Sequence, residues 1–200
     1  ASIDEITVAT TTNGSDDVIV GLADQLDTRW YRGDEDDVLA RYAGAAIDSG
    51  AEVVVRITAD CPLLDPHIVD LVTTTLTSRP TDLDLVCNTT TASYPVGLAV
   101  QAVHSETLHR IDRMASRPTD REHVLIFATH TEPRLFKLHT VIASTDDSDI
   151  RLTVDYPADL VVVRQIYDAL DLKTRILPYQ DIVHWLRNNP KIMQQNQHLH

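Results

Sequence analysis

The chain has 200 residues, a formal net charge of −13 and lysine only at Lys137, Lys173 and Lys191, which excludes the broad basic surface that a nucleic-acid polymer needs. Its hydrophobic share of 43% and charged share of 24% suit a soluble globular protein with a sizeable core, and no apolar run is long enough to span a bilayer. Cys61 and Cys87 are too few for a disulfide framework or a zinc site and are expected as buried thiols. Residues 1–13 lack a basic-then-apolar leader pattern, so a cytoplasmic location is expected.

In chain order, residues 3–10 read as a strand, 10–14 as a polar turn and 16–26 as a helix. A short strand over 29–33 ends at Gly33. Val38, Leu39, Tyr42, Ala45, Ala46 and Ile47 form the stripe of a helix over 34–49, closed by Gly50 as the residue after its C-cap. Asp34-Glu35-Asp36-Asp37 at its start reads either as a metal cluster or as a solvated acidic first turn favoured by the helix dipole, and the second is expected.

Residues 52–66 organise the rest. Val53, Val54, Val55 and Ile57 predict a strand buried on both faces, stopped at Asp60-Cys61-Pro62 because proline cannot continue a central ladder. Asp65 and Pro66 supply the N-cap and first residue of a helix over 65–77. Asp60 is thus left at the carboxyl end of a strand with no capping duty, where open α/β sheets bind ligands.

Further strands are expected over 84–87 and 97–103, after a turn-rich 88–95. A helix capped by Ser105 runs to 115. Thr119 and Glu122 have capping-box spacing and open a helix through 130. Strands follow over 136–143 and 151–154, then a long helix from Pro157, a last helix over 178–188 and a loose polar tail, 194–200. The alternation predicts an α/β layered sheet with helices on both faces. Residues 1–200 are expected as a single domain, with 88–130 as a subdomain or dimer contact.

Asp155 repeats the strand, aspartate, proline pattern of Asp60. Two carboxylates at adjacent strand ends can hold one Mg²⁺ together with substrate phosphates. The plainer alternative is that Asp155 only meets the N–H groups of the next helix.

Four ordered stretches carry a resemblance: residues 32–42, residues 55–65, Asp120-Arg121-Glu122-His123-Val124 and residues 151–159. They resemble the cytidylyltransferase-like proteins of spore-coat polysaccharide biosynthesis, relatives of the synthetases that make CMP-activated 3-deoxy-octulosonate and neuraminic acids. The resemblance runs from about Ile3 to Asn196. It implies a Rossmann-like nucleotide-diphospho-sugar transferase fold, mostly parallel with helices on both faces. It implies Mg²⁺-dependent transfer of CMP from CTP to a sugar or sugar acid, with release of pyrophosphate, and is compatible with a homodimer. Asp60 and Asp155 match the metal-binding, catalytic aspartates. Thr10, Thr11, Arg32 and Gly33 fall where the family lines its nucleotide pocket, and Arg121, Glu122 and His123 are candidates for the sugar side. His123 reads as a general base or, with slightly more weight, as a structural helix residue.

Two departures stand against this match. The family's glycine-rich, basic phosphate loop has no counterpart in these 200 residues. The chain starts about where the family's second strand would, so the first βα unit is expected to be missing and a sheet edge exposed. The family's Gly-Leu-Asp-Val-Glu stretch appears as Gly97-Leu98-Ala99-Val100-Gln101, without its two acids. The alternative is therefore a non-catalytic relative that binds a sugar, a nucleotide or a protein partner. A metal-dependent phosphohydrolase is weaker, because no strand ends in a closely spaced pair of aspartates.

Overall fold

The structure, a computed structural model, describes residues 2–199. It is mixed α/β, in two units: Ala1–Val55 with Thr75–Val86 and Ala102–His139, and Arg56–Thr74 with Cys87–Gln101 and Thr140–His200. No helix of the described residues is long and apolar enough to cross a membrane.

In the first unit, β1 (Thr7–Thr11) pairs in parallel with β2 (Arg29–Gly33), Thr7 opposite Arg29 and Thr11 opposite Gly33. A 3₁₀ turn and α1 (Asp17–Gln25) connect them. The helix α2 (Val38–Ser49) starts four residues later than its acidic prelude suggested. Asp34 folds back to accept the N–H groups of Asp36 and Asp37, and Asp37 becomes the N-cap by accepting from Ala40 N. Gly50 ends the helix in the left-handed region at φ 68°, the conformation that favours glycine after a C-cap.

A second sheet has the order β3-β5-β4-β6, formed by β3 (Val53–Arg56), β4 (Leu85–Cys87), β5 (Gln101–His104) and β6 (Leu138–Thr140). The valine run expected to be buried on both faces is β3, an end strand whose four residues are each half-buried. An end strand keeps one side open to water, so its β-branched side chains are only partly covered. Strand β5 is also shorter than expected and starts only at Gln101.

The core of this unit joins Leu39 and Ala46 of α2, Leu85, Val103, and Leu108 and Ile111 of α4 (Ser105–Met114) to Phe127 and Phe136. The two rings meet edge-on, with centroids 6.1 Å apart, a favoured aromatic geometry. The Ser105 hydroxyl does not cap α4; it donates to the Ala51 carbonyl, and its N–H to Glu52. The helix expected through 130 is broken: α5 is only Pro118–Glu122, Val124 takes φ 58°, and a π-helical turn follows over Phe127–Thr131. The expected capping box is not formed, because α5 starts at Pro118 with Arg117 at its N-cap and no side-chain cap bond; the buried Asp120 accepts from Thr131 Oγ1 at 2.7 Å.

The second unit contains the start of α3 (Pro66–Thr77), then α6 (Pro157–Ala169), α7 (Tyr179–Asn188) and α8 (Pro190–Met193). Buried Asp65 caps α3 through His67 N and also accepts from Tyr179 N, each at 2.8 Å, so one carboxylate fixes two helix starts. The strand expected over 151–154 reduces to one parallel bridge, Val96 with Arg151. Gly97 ends that pairing at φ 103°, and a Cβ there would lie 2.5 Å from Thr153 N and 2.6 Å from the Leu152 carbonyl carbon. Gly97→Ala is therefore expected to cost about 3 kcal/mol, combining backbone strain with overpacking against main chain that has no rotamer to move; urea unfolding reads it as a lowered midpoint. The tail expected to be loose is tied in, for Asn196 is buried and hydrogen-bonded; His200 lies outside the described residues.

Candidate active site

Beyond Ile57 the chain turns through Thr58–Cys61, closed by Cys61 N to Thr58 O at 3.2 Å. The Cys61 thiol, only half-buried rather than buried as expected, lies 3.3 Å from Thr58 Oγ1 and donates to Asp60 Oδ1 at 3.4 Å. Burial and the neighbouring Asp60 charge push this thiol's pKa up, which keeps it protonated at neutral pH. Asp60 itself is exposed.

The second aspartate comes to the same place through the backbone. Val96 N donates to Ile150 O at 2.8 Å and Leu152 N to Val96 O at 2.7 Å. Two residues on, Val154 N donates to the Asp60 carbonyl at 2.8 Å, and Thr153 Oγ1 reaches the same oxygen at 3.2 Å. The main chain just before Asp155 is thereby tied to that of Asp60, although 95 positions separate the two residues.

Under Asp155 lies a buried network that sequence reasoning missed. The Arg151 side chain is 7% exposed and that of Asp159 is 0%. Arg151 Nε and Nη2 grip the two Asp159 oxygens at 2.9 Å each, and Nη2 also holds Asp155 Oδ2 at 2.5 Å. Asp159 further accepts from Asn196 Nδ2 and from the N–H groups of Asp155 and Tyr156. Burial works to raise the Asp159 pKa, but the Arg151 guanidinium and the other donors overcome it and hold the carboxyl well below the usual carboxylate range. Arg151 is correspondingly held more firmly protonated, first by Asp159 and then by Asp155. Asp159 is the third residue of α6, a position that reads as an ordinary capping acid; its partner Asn196 lies 37 positions away, beyond any local pattern.

In the first unit, Thr10, Thr11, Arg32 and Gly33 do come together. Thr10 Oγ1, Thr11 Oγ1 and Thr11 N all donate to Asp16 Oδ2, at 2.7, 2.8 and 3.1 Å. Arg32 spends its guanidinium on Thr11 O, Asn13 O and Asp17 Oδ1, and Gly33 O accepts from Thr12 N. These donors are thus engaged inside the chain, around a carboxylate that sequence reading assigned to the start of α1. The hydrogen bonds from Thr10 and then Thr11 lower the Asp16 pKa to about 2. Titration of side-chain carboxyl resonances by NMR is expected to place Asp16 near that value, and Thr10→Val to move it toward the ordinary range of about 3.9.

Arg121 is also committed. Its Nε and Nη2 grip Asp37 at 2.9 and 2.7 Å, Nη2 reaches Asp112 Oδ1 at 2.7 Å, and Nη1 reaches the carbonyls of Asp112 and Ala115. It clamps α5 to the start of α2 and the end of α4. Glu122 and His123 are exposed. Arg121 and Glu122 border an acidic cavity of about 730 Å³ that Asp34, Glu35, Asp36 and Asp37 also line.

The profile of the Cytidylyltransferase family matches residues 1–183. The chain belongs to that family. It is 30% identical over 192 residues to an uncharacterized protein of Methanocaldococcus jannaschii, covering 95% of this chain and 76% of that one. It is 23% identical over 190 residues to the spore coat polysaccharide biosynthesis protein SpsF of Bacillus subtilis, covering 94% and 76%. The solved cytidylyltransferase of Leptospira borgpetersenii superposes with a TM-score of 0.88 at 26% identity, over 97% of this chain and 80% of that one. A CMP:2-keto-3-deoxy-manno-octonic acid synthetase complexed with CTP shares the fold, with a TM-score of 0.58 at 14% identity over 84% and 82% of the two chains. The fold is thus the Rossmann-like nucleotide-sugar transferase fold.

In this cytidylyltransferase-family chain, the two positions without the expected acids are built differently. Ala99 is half-buried and offers no polar group. Gln101 is buried; its Oε1 accepts from Arg56 Nη1 at 3.0 Å and its Nε2 donates to Thr89 Oγ1 at 3.2 Å. An amide carries both an acceptor and a donor and so serves both neighbours, whereas an ionised glutamate could only accept.

Proposed function

We propose that this family member transfers CMP from CTP to a hydroxyl of a sugar or sugar acid, in surface-polysaccharide biosynthesis, with Asp60 and Asp155 holding one Mg²⁺. The observation that carries the proposal is the hydrogen bond from Val154 N to the Asp60 carbonyl, 2.8 Å, which ties the main chain at Asp60 to the residue before Asp155. Among the described residues no group of three or more His, Cys, Asp or Glu could hold a metal. Two hard carboxylates alone fit Mg²⁺, which completes its shell with water and substrate phosphates. They would not suit a zinc site, which takes three or four protein ligands drawn mostly from Cys and His.

When bound, Mg²⁺ supplies charge neutralisation on the phosphates and stabilises the leaving pyrophosphate. The acceptor oxygen forms a bond to the α-phosphorus, the bond from that phosphorus to the bridging oxygen breaks, and pyrophosphate leaves with the electron pair. The hydroxyl proton passes to water. Asp60 and Asp155 would hold the Mg²⁺ ion where the triphosphate binds. The 23% identity to a polysaccharide biosynthesis protein and the fold shared with a CTP-bound sugar-acid synthetase support this reading. The proposed use of CTP, an intracellular nucleotide, supports a cytoplasmic location.

Incubation with CTP, Mg²⁺ and a panel of sugars and 2-keto sugar acids tests it, read by pyrophosphate release and by mass spectrometry of the CMP-sugar. Product that disappears with EDTA is expected, and no pyrophosphate with any acceptor contradicts it. A second reading, a non-catalytic relative that binds a sugar, a nucleotide or a protein partner, is favoured by the internal engagement of Thr10, Thr11 and Arg32. Binding of CTP without turnover supports that one.

A further inference from the structure

We infer that Arg151 is a positioning residue for the cation site: it holds one oxygen of Asp155 so that the other is presented to a divalent ion, and Asp159 cancels its charge. The inference rests on the proposed role of Asp155. Arg151 Nη2 fixes Asp155 Oδ2 at 2.5 Å, while Asp155 Oδ1 has no hydrogen-bond partner among the described residues and its side chain is 44% exposed. A carboxylate with one oxygen clamped and the other open offers a single-oxygen ligand of fixed direction. Carboxylates that bind metals are oriented by such outer hydrogen bonds, and losing one costs about 10- to 100-fold in affinity.

A guanidinium beside a cation site is expected to repel the ion. Here it lies in a bidentate pair with Asp159, whose side chain is fully buried, so the pair is close to neutral and Asp155 keeps most of its negative charge. Asp159 also fixes the main chain of Asp155 by accepting its N–H at 3.0 Å. The fork geometry matters because one guanidinium must serve two carboxylates at once, which an ammonium, a single point charge on a flexible stem, does less well.

The test is titration of Mn²⁺, alone and with CTP, read by electron paramagnetic resonance of the free ion. Arg151→Lys keeps the charge and removes the fork, so affinity should fall about tenfold. Asp159→Asn leaves the guanidinium uncompensated against Asp155 and should weaken binding in the same direction. Asn196→Ala removes the bonds from its Nδ2 to Asp159 Oδ1 and to the Arg151 carbonyl but leaves the Arg151 side chain on Asp155, and should stay within about twofold of the unmodified protein. That separates positioning from general loosening of the network. Unchanged affinity in R151K, or in D159N should R151K not fold, overturns this inference alone. Mn²⁺ binding that is missing in the unmodified protein, or indifferent to Asp155→Asn, overturns it together with the metal pair.

Discussion

Asp159→Ala is expected to lower folding stability by about 3–5 kcal/mol, the range for removing one partner of a buried ion pair. The loss is large because the change strands Arg151, whose side chain is only 7% exposed, and frees the donors of Asn196, Asp155 and Tyr156. Asp159→Asn should cost less, since an amide still accepts from some of these donors while losing the charge. The same carboxylate gives the pH dependence a sign. Its folded pKa lies below the ordinary value of about 3.9, so the unfolded chain takes up the proton first. The contribution of Asp159 is full above about pH 4 and is lost as pH falls through that value toward the lower folded pKa. Chemical denaturation from pH 6 down to pH 2 should show a steep loss in the unmodified protein and a shallower one in Asp159→Asn.

Asp60→Asn and Asp155→Asn are each expected to lower the rate of pyrophosphate release by about two to three orders of magnitude, the usual cost of removing one preorganised electrostatic contact to a developing charge. Both side chains are exposed, and the buried Arg151 keeps its two bonds to Asp159 when Asp155 is changed, so both variants should fold. Their effects should not add. If the two carboxylates act through one cation, the double variant should be about as slow as either single one. Independent roles would instead multiply the losses.

Much of the architecture was legible because it is written in local punctuation. Gly50 ends α2 in the left-handed region and Asp65-Pro66 starts α3, each at a position where backbone conformation or a missing N–H leaves little choice. The misreadings share a cause. Residues 151–154 alternate like a strand, yet only Arg151 bridges to Val96, because Gly97 turns away at φ 103°. Residues 119–130 have helical spacing, yet Val124 at φ 58° breaks them, and valine gives no warning of a positive φ.

The site divides along the same line. Asp60 and Asp155 stand out as candidates because each sits between an apolar run and a proline. Arg151, Asp159 and Asn196 could not, since a guanidinium, a capping acid and a tail amide become one network only through contacts 8 and 37 residues apart. Asp16 was hidden in the same way: its three hydrogen bonds to Thr10 and Thr11 satisfy donors that the resemblance had assigned to a nucleotide.

Calorimetric titration of CTP with Mg²⁺ into the unmodified protein, Asp60→Asn and Asp155→Asn goes straight to whether the two carboxylates share an ion. One CTP per chain, bound only when Mg²⁺ is present and lost in both variants, is the expected result. No heat at millimolar CTP, or equal binding in the unmodified protein and both variants, would contradict it.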